Sequence, residues 1–164
     1  MKVTFKGNPT ETVGNLPEIG SKAPDFTLVK TDFNSISLKD YQGKSVLLNV
    51  FVSLDTSICA ASVEKFNQEA AKHPNCSILC ISMDLPFAHD RFCSVKNIQN
   101  VTPLSAFRNP EFGKNYGLTI ASGPLTGLLA RAIIIINSEG KVAYTEIVPE
   151  IAQEPNYEAA LKKI

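Results

Sequence analysis

The chain has 164 residues, of which 44% are hydrophobic and 20% are charged, as is ordinary for a globular protein. Its 16 basic and 16 acidic residues give a formal net charge of zero, so no long-range field favours nucleic acid or an anionic membrane. The longest apolar runs are far shorter than a membrane span requires. We therefore expect one domain over residues 1–164 that binds neither nucleic acid nor a membrane.

The N-terminal extension, residues 1–15, alternates apolar and polar residues around a turn at Gly7-Asn8-Pro9, which predicts a β-hairpin. Strand-like segments follow, and three of them are too apolar to face water on one side. These strand-like segments are PDFTLV, NSISL, SVLLNVFV, CSILCISM, VTPLS, ARAIIII and KVAYTEIV. Helices are predicted over 58–72, in DLPFAHDRFC, over 111–116 and from Pro155 to Ile164. Strand–helix–strand order ending in an antiparallel hairpin and a helix predicts an α/β fold around a mixed central sheet.

Cys59 lies in the first predicted long helix and allows two interpretations. With Val63, Phe66 and Ala70 it forms one apolar stripe, which is typical of a plain buried core cysteine. It also follows Thr56, one of three consecutive good N-cap residues, so the thiol falls in the first helical turn. Unpaired backbone N–H groups at this end favour a thiolate, which indicates a nucleophile.

Ionisation alone does not make a fast catalyst, since a donor must also stabilise the charge that develops on the leaving group. Arg131, at the start of an apolar strand, is a candidate because its fork of donors suits an anion. The alternative is an arginine at the edge of the sheet with its head in water. Thr56 is likewise either a simple helix cap or a hydroxyl that serves the thiol.

The remaining cysteines and the histidines carry weaker signals. Cys93 ends a short predicted helix and forms no C-x-x-C motif, whereas Cys76 and Cys80 share one face of a buried strand and are predicted to be structural. His73 is predicted at a helix C-terminus and His89 on the surface in a first turn. This spacing matches no usual zinc-ligand pattern, so we expect no metal site.

Six segments together resemble the bacterial thiol peroxidases, which are atypical two-cysteine peroxiredoxins with a thioredoxin-like fold. In chain order they are GSKAPDFTLV, SLDTSICAASVEKFN, LCISMDLPFAHDRFC, FRNPEFGKNYG, GPLTGLLARA and EPNYEAAL. They span nearly the whole chain, and DLPFA followed by RFC is particular to this subfamily. The resemblance implies a single thioredoxin-like peroxiredoxin domain that carries the N-terminal hairpin.

The resemblance also assigns roles to four residues. Cys59 would be the peroxidatic cysteine that is oxidised to a sulfenic acid, and Cys93 the resolving cysteine that forms an intramolecular disulfide with it. Thr56 and Arg131 fall on the family's hydrogen-bonding partners of thiolate and peroxide. A slow redox sensor or binding module of the same fold is the alternative function.

Val52, Ser53 and Asp55 are expected to complete the active-site pocket. Val52 departs from the family pattern, which has proline seven residues before the peroxidatic cysteine. Proline fixes φ and lacks an N–H, whereas valine restores a donor and relaxes the backbone. We therefore predict an intact pocket in which the thiol has a higher pKa or reacts more slowly with peroxide.

The resemblance further implies a hydroperoxide substrate, thioredoxin as the reductant, a homodimer, and neither a metal nor an organic cofactor. Few cysteines and the lack of an apolar secretory segment agree with a bacterial cytoplasmic location.

Overall fold

The computed structural model describes residues 1–164 and contains nine β-strands and four α-helices. The strands are β1 (Lys2–Phe5), β2 (Asn8–Glu11), β3 (Thr27–Val29), β4 (Ser35–Ser37), β5 (Ser45–Val50), β6 (Cys76–Ser82), β7 (Thr102–Ser105), β8 (Ala132–Ile136) and β9 (Val142–Ile147). The helices are α1 (Ser57–Ala70), α2 (Pro86–Lys96), α3 (Glu111–Asn115) and α4 (Tyr157–Leu161). A 3₁₀ turn follows β4 at Leu38–Tyr41. Every predicted element is present in the predicted order, although several ends differ.

Seven strands form one mixed sheet in the order β4-β3-β7-β6-β5-β8-β9. The parallel strands β5, β6 and β7 are adjacent, and antiparallel strands extend the sheet on both sides. All five residues of β8 are buried between the helical layers, as its unbroken apolar run requires. The predicted α/β fold with a mixed central sheet is confirmed.

The N-terminal hairpin forms a separate two-stranded sheet. Its turn was predicted one position too late, because Asn8 and Pro9 belong to β2 and Phe5 pairs with Asn8. Lys6 and Gly7 make the turn, and both have positive φ values, 51° and 78°. A two-residue turn of this kind matches the right-handed twist of its strands.

Helix α1 begins at its expected cap. Thr56 Oγ1 accepts a hydrogen bond from the backbone N–H of Cys59 at 3.3 Å. The predicted stripe of Cys59, Val63, Phe66 and Ala70 is buried against the sheet. The cap and the stripe together place the cysteine in the first turn and beneath the helix.

Helix α2 is longer than its sequence suggests. It starts with Pro86, continues one turn beyond Cys93, and ends where Asn97 adopts a left-handed conformation. Helix α4 is shorter than predicted, since Asn156 caps it and only 157–161 are helical. No helix in the protein is both long and apolar enough to cross a membrane.

The two faces of the sheet carry separate apolar cores. One core joins α1 and α4 to the sheet and also receives side chains from β1 and α2. The other core contains Phe112 of α3 and Tyr116, which caps the end of that helix. The N-terminal hairpin, α1 and α2 therefore meet on one face, and this face carries both Cys59 and Cys93.

Candidate active site

The thiol of Cys59 is completely buried, yet it contacts a charged group. Arg131 Nη2 lies 3.1 Å from Cys59 Sγ and donates a hydrogen bond to it. Ser62 Oγ donates to the Cys59 carbonyl at 2.9 Å, which fastens the first turn of α1 from the other side. The sulfur therefore sits between a helix N-terminus and a guanidinium, and both present positive charge to it.

Arg131 precedes β8 and is only 2% exposed, which rules out the alternative in which its head lies in water. Its Nε donates to the Ile151 carbonyl at 3.1 Å, which fixes the plane of the guanidinium. Nη1 is buried without a hydrogen-bond partner. Nε and Nη2 each make one hydrogen bond and Nη1 makes none, so both N–H groups of Nη1 are free for an additional anion or polar ligand.

A cavity of about 310 Å³ lies beside the first turn of α1 and beside Arg131, while Cys59 itself does not line it. Of the residues proposed for the pocket, Val52, Thr56 and Arg131 line this cavity. The remaining lining residues, which sequence reasoning missed, are Phe5, Lys6, Ser57, Ile58, Leu125, Ile151 and Ala152. Most of the wall is therefore apolar, and part of it comes from the tip of the N-terminal hairpin.

Ser53 and Asp55, also expected in the pocket, do not line this cavity. Ser53 Oγ donates to Asp84 Oδ1 at 2.7 Å, and the same carboxylate accepts the Leu54 N–H at 2.8 Å. These two hydrogen bonds to Asp84 join the loop after β5 to the loop after β6. Asp55 then projects into solvent, where it pairs with Arg91 at 3.3 Å.

Val52 occupies the cavity wall and is 4% exposed. It lies beyond the end of β5, and its N–H donates no hydrogen bond to the protein. The donor that valine restores, relative to the family's proline, is therefore unused within the chain.

Thr56 performs the cap role directly. Its hydroxyl accepts from the Cys59 N–H and donates to the Ser53 carbonyl at 3.1 Å. It also lines the cavity.

Cys93 is half-buried on α2 and forms no disulfide with Cys59 in this structure. Burial, followed by the charge of Asp90, raises the pKa of the Cys93 thiol to about 11. Burial likewise raises the pKa of Cys76 to about 11 and that of Cys80 to about 12. All three thiols are protonated at neutral pH, which suppresses their reactivity.

His89 was predicted on the surface and is instead buried. Its Nε2 lies 3.1 Å from Ser82 Oγ, its Nδ1 has no partner, and burial lowers its pKa to about 4. The sequence pattern that could have predicted this burial was the spacing of His89 from Pro86, because the two residues share the buried face of α2. No group of three or more His, Cys, Asp or Glu residues is placed to hold a metal ion.

Comparisons with known proteins agree with this geometry. The Redoxin family profile matches residues 18–161. A thiol peroxidase from Mycobacterium bovis is 57% identical over 160 residues, which cover 98% of this chain and 96% of that protein. A thiol peroxidase from Corynebacterium glutamicum is 52% identical over the same proportions. The chain therefore belongs to the redoxin family and, within it, to the bacterial thiol peroxidases.

Solved structures resemble the whole fold. A peroxiredoxin-like protein from Aquifex aeolicus superposes with a TM-score of 0.94 at 41% identity, covering 99% of this chain and 94% of that one. A thiol peroxidase from Chromobacterium violaceum gives a TM-score of 0.89 at 23% identity, covering 99% of this chain and 94% of that one. These comparisons confirm the predicted thioredoxin-like fold.

Proposed function

We propose that the protein is a thiol-dependent peroxidase that reduces hydrogen peroxide and alkyl hydroperoxides, with Cys59 as its nucleophile. The observation that carries this proposal is the 3.1 Å contact between Arg131 Nη2 and the buried Cys59 sulfur. The sulfur lies at a helix N-terminus, and both Thr56 of the cap and Arg131 line a neighbouring cavity, a setting that suits an activated thiolate. The similarity of this chain to proteins named thiol peroxidases supports the same activity.

In the first step the Cys59 thiolate attacks the terminal oxygen of the hydroperoxide. An S–O bond forms and the O–O bond breaks, so the sulfur is oxidised to a sulfenic acid. The electron pair leaves on the second oxygen, which is protonated to water or an alcohol. Arg131 and Thr56 are the groups that stabilise the departing charge, since both border the cavity.

In the second step the Cys93 thiol attacks the oxidised Cys59 sulfur. A disulfide forms, and the sulfenic oxygen leaves as water. Because Cys93 is half-buried and Cys59 fully buried, the ends of α1 and α2 must open locally for the sulfur atoms to meet. Oxidised and reduced proteins therefore differ in conformation.

The reductant we propose is thioredoxin, whose dithiol exchanges with the disulfide and is itself oxidised. The cycle moves electrons only between thiols and peroxide, so it requires no metal or organic cofactor. We place the enzyme in the bacterial cytoplasm, where reduced thioredoxin is available. A homodimer agrees with family membership and remains part of the proposal.

Coupled turnover tests the function. With thioredoxin, its reductase and NADPH, we expect sustained NADPH oxidation after hydrogen peroxide or a bulky alkyl hydroperoxide is added. Cys59→Ser should abolish turnover, whereas Cys76→Ser, a matched change of a structural thiol, should preserve it. A single stoichiometric burst would instead support the alternative, a redox sensor that oxidises once. Val52 is the feature that keeps this alternative open, because it departs from the family's proline.

A further inference from the structure

The tip of the N-terminal hairpin surrounds the carboxylate of Glu150. Lys6 N–H donates to Oε1 and Gly7 N–H to Oε2, both at 3.0 Å. Thr4 Oγ1 donates to Oε2 at 2.8 Å, and Ala152 N–H donates to Oε1 at 3.0 Å. The pKa of Glu150 is lowered to about 2, mainly by hydrogen bonds from the backbone N–H groups of Ala152 and Gly7. The carboxylate is therefore ionised throughout the neutral range and fully occupied as an acceptor.

Backbone hydrogen bonds join the same two regions. Thr4 N–H donates to the Pro149 carbonyl at 2.7 Å, and Ile151 N–H donates to the Thr4 carbonyl at 2.8 Å. Strand β1 thus fixes the 149–152 segment at positions on both sides of Glu150. We refer to the contacts of Thr4, Lys6 and Gly7 with this segment as the clamp.

The clamped segment holds Arg131. The Ile151 carbonyl, one residue after Glu150, accepts from Arg131 Nε at 3.1 Å, and Nη2 of the same guanidinium reaches Cys59 Sγ. No other protein acceptor holds Arg131, because Nη1 is unpartnered. A shift of the 149–152 segment would therefore move the guanidinium away from the sulfur.

We propose that Glu150 is a positioning residue for Arg131, and that the N-terminal hairpin is the element that clamps the active-site arginine. This inference rests on the proposed function, since it assigns Arg131 to the chemistry of Cys59. It gives the hairpin, which contains no nucleophile, a role in peroxide reduction.

Glu150→Gln tests the clamp because it keeps the side-chain length but removes the charge and one acceptor oxygen. We expect the second-order rate constant for Cys59 oxidation to fall between about 10-fold and about 100-fold, the scale of a small misplacement in an active site. We also expect the pH profile of Cys59 alkylation by iodoacetamide to move to higher pH, because the thiolate loses its cation. Glu139→Gln, a matched change in the turn between β8 and β9, should leave both unchanged.

A double-mutant cycle separates positioning from simple fastening of the hairpin. If Glu150 acts through Arg131, Glu150→Gln should cause almost no further loss of rate in an Arg131→Lys background. The proposal would be overturned if Glu150→Gln reduced the rate constant by the same factor in the wild-type and the Arg131→Lys backgrounds. It would also be overturned if Glu150→Gln alone kept the wild-type rate constant and the wild-type alkylation profile. Thr4→Val, which removes a single donor, provides a milder variant if Glu150→Gln does not fold, and it should shift both measurements in the same direction.

The outcomes also separate the two proposals. Wild-type protein without peroxidase turnover would contradict the proposed function. The alkylation profile would still decide the clamp in that case, since it requires only a reactive Cys59 and not a peroxide substrate.

Discussion

A single buried contact defines the chemistry at the level of residues. Arg131 and Cys59 lie far apart in sequence, and both side chains are almost completely enclosed. Burying a guanidinium is costly unless it faces an anion or strong acceptors. Arg131 has the Ile151 carbonyl and the Cys59 sulfur as hydrogen-bond partners, and these contacts offset part of that cost.

Arg131→Lys should keep the charge but lose the fork that reaches Ile151 and Cys59 together. We expect the rate constant for peroxide reduction, measured by stopped flow, to fall about 100-fold to about 1,000-fold, the effect of losing a transition-state donor. Arg108→Lys changes an arginine that is exposed near Phe107 and should have no effect. A wild-type rate in Arg131→Lys would show that charge alone suffices.

Val52→Pro should increase the rate of the peroxide reaction. The substitution costs no hydrogen bond, because the Val52 N–H has no acceptor in the protein, and it restricts the backbone beside Thr56. Val52→Ala keeps the N–H and should bring no gain. If stopped-flow rates of Val52→Pro and wild type are equal, the idea that valine slows this pocket is wrong.

At the level of elements, exposed polar contacts connect α1 to α2. Glu64 pairs with Lys96 at 3.1 Å, and Asp55 in the loop before α1 pairs with Arg91. Such solvent-exposed pairs add little stability. These ion pairs therefore add little to the cost of separating locally the two helices that carry Cys59 and Cys93, as disulfide formation requires.

Local opening predicts a difference between Cys93 and Cys80. In native conditions both should react slowly with iodoacetamide, since burial raises the pKa of Cys93 to about 11 and that of Cys80 to about 12. Urea below the global unfolding midpoint should release Cys93 first, as peptide mapping by mass spectrometry would detect. Simultaneous labelling of the two thiols would mean that α2 does not open independently.

Periodicity and capping predict the elements well, because α1 and the central strands carry strong local signals. The same local signals place Cys59 correctly beneath the cap of α1. Local signals fail where a distant partner decides the outcome. Ser53 turns away from the cavity because its hydroxyl donates to Asp84. Arg131 is buried because its guanidinium donates to the Ile151 carbonyl and to Cys59 Sγ.

At the level of the whole molecule, His89 links stability to pH. Its pKa is about 4 in the folded protein against ~6.5 in an unfolded chain, so the unfolded state takes up the proton first as pH falls. The free energy of unfolding should therefore have its full value above pH ~6.5. It should fall by about 3 kcal/mol in total as the pH decreases toward ~4. Urea unfolding at a series of pH values measures this decline.

His89→Gln should flatten the pH dependence between pH ~6.5 and ~5, above the range in which carboxylates such as Glu150 titrate. A decline that persists unchanged in this variant would assign the effect to another group. His73, the other histidine, is partly exposed, so His73→Gln serves as the matched control and should keep the decline.

The most direct test of the account is the mass of peroxide-treated protein, read together with its cross-linked peptides. We predict that stoichiometric hydrogen peroxide removes the mass of a pair of hydrogen atoms and joins the peptides that contain Cys59 and Cys93. Cys93→Ser should instead retain added oxygen on Cys59, and Cys76→Ser should behave as wild type. An unchanged mass, or the same loss of hydrogen in Cys93→Ser, would contradict the two-cysteine mechanism.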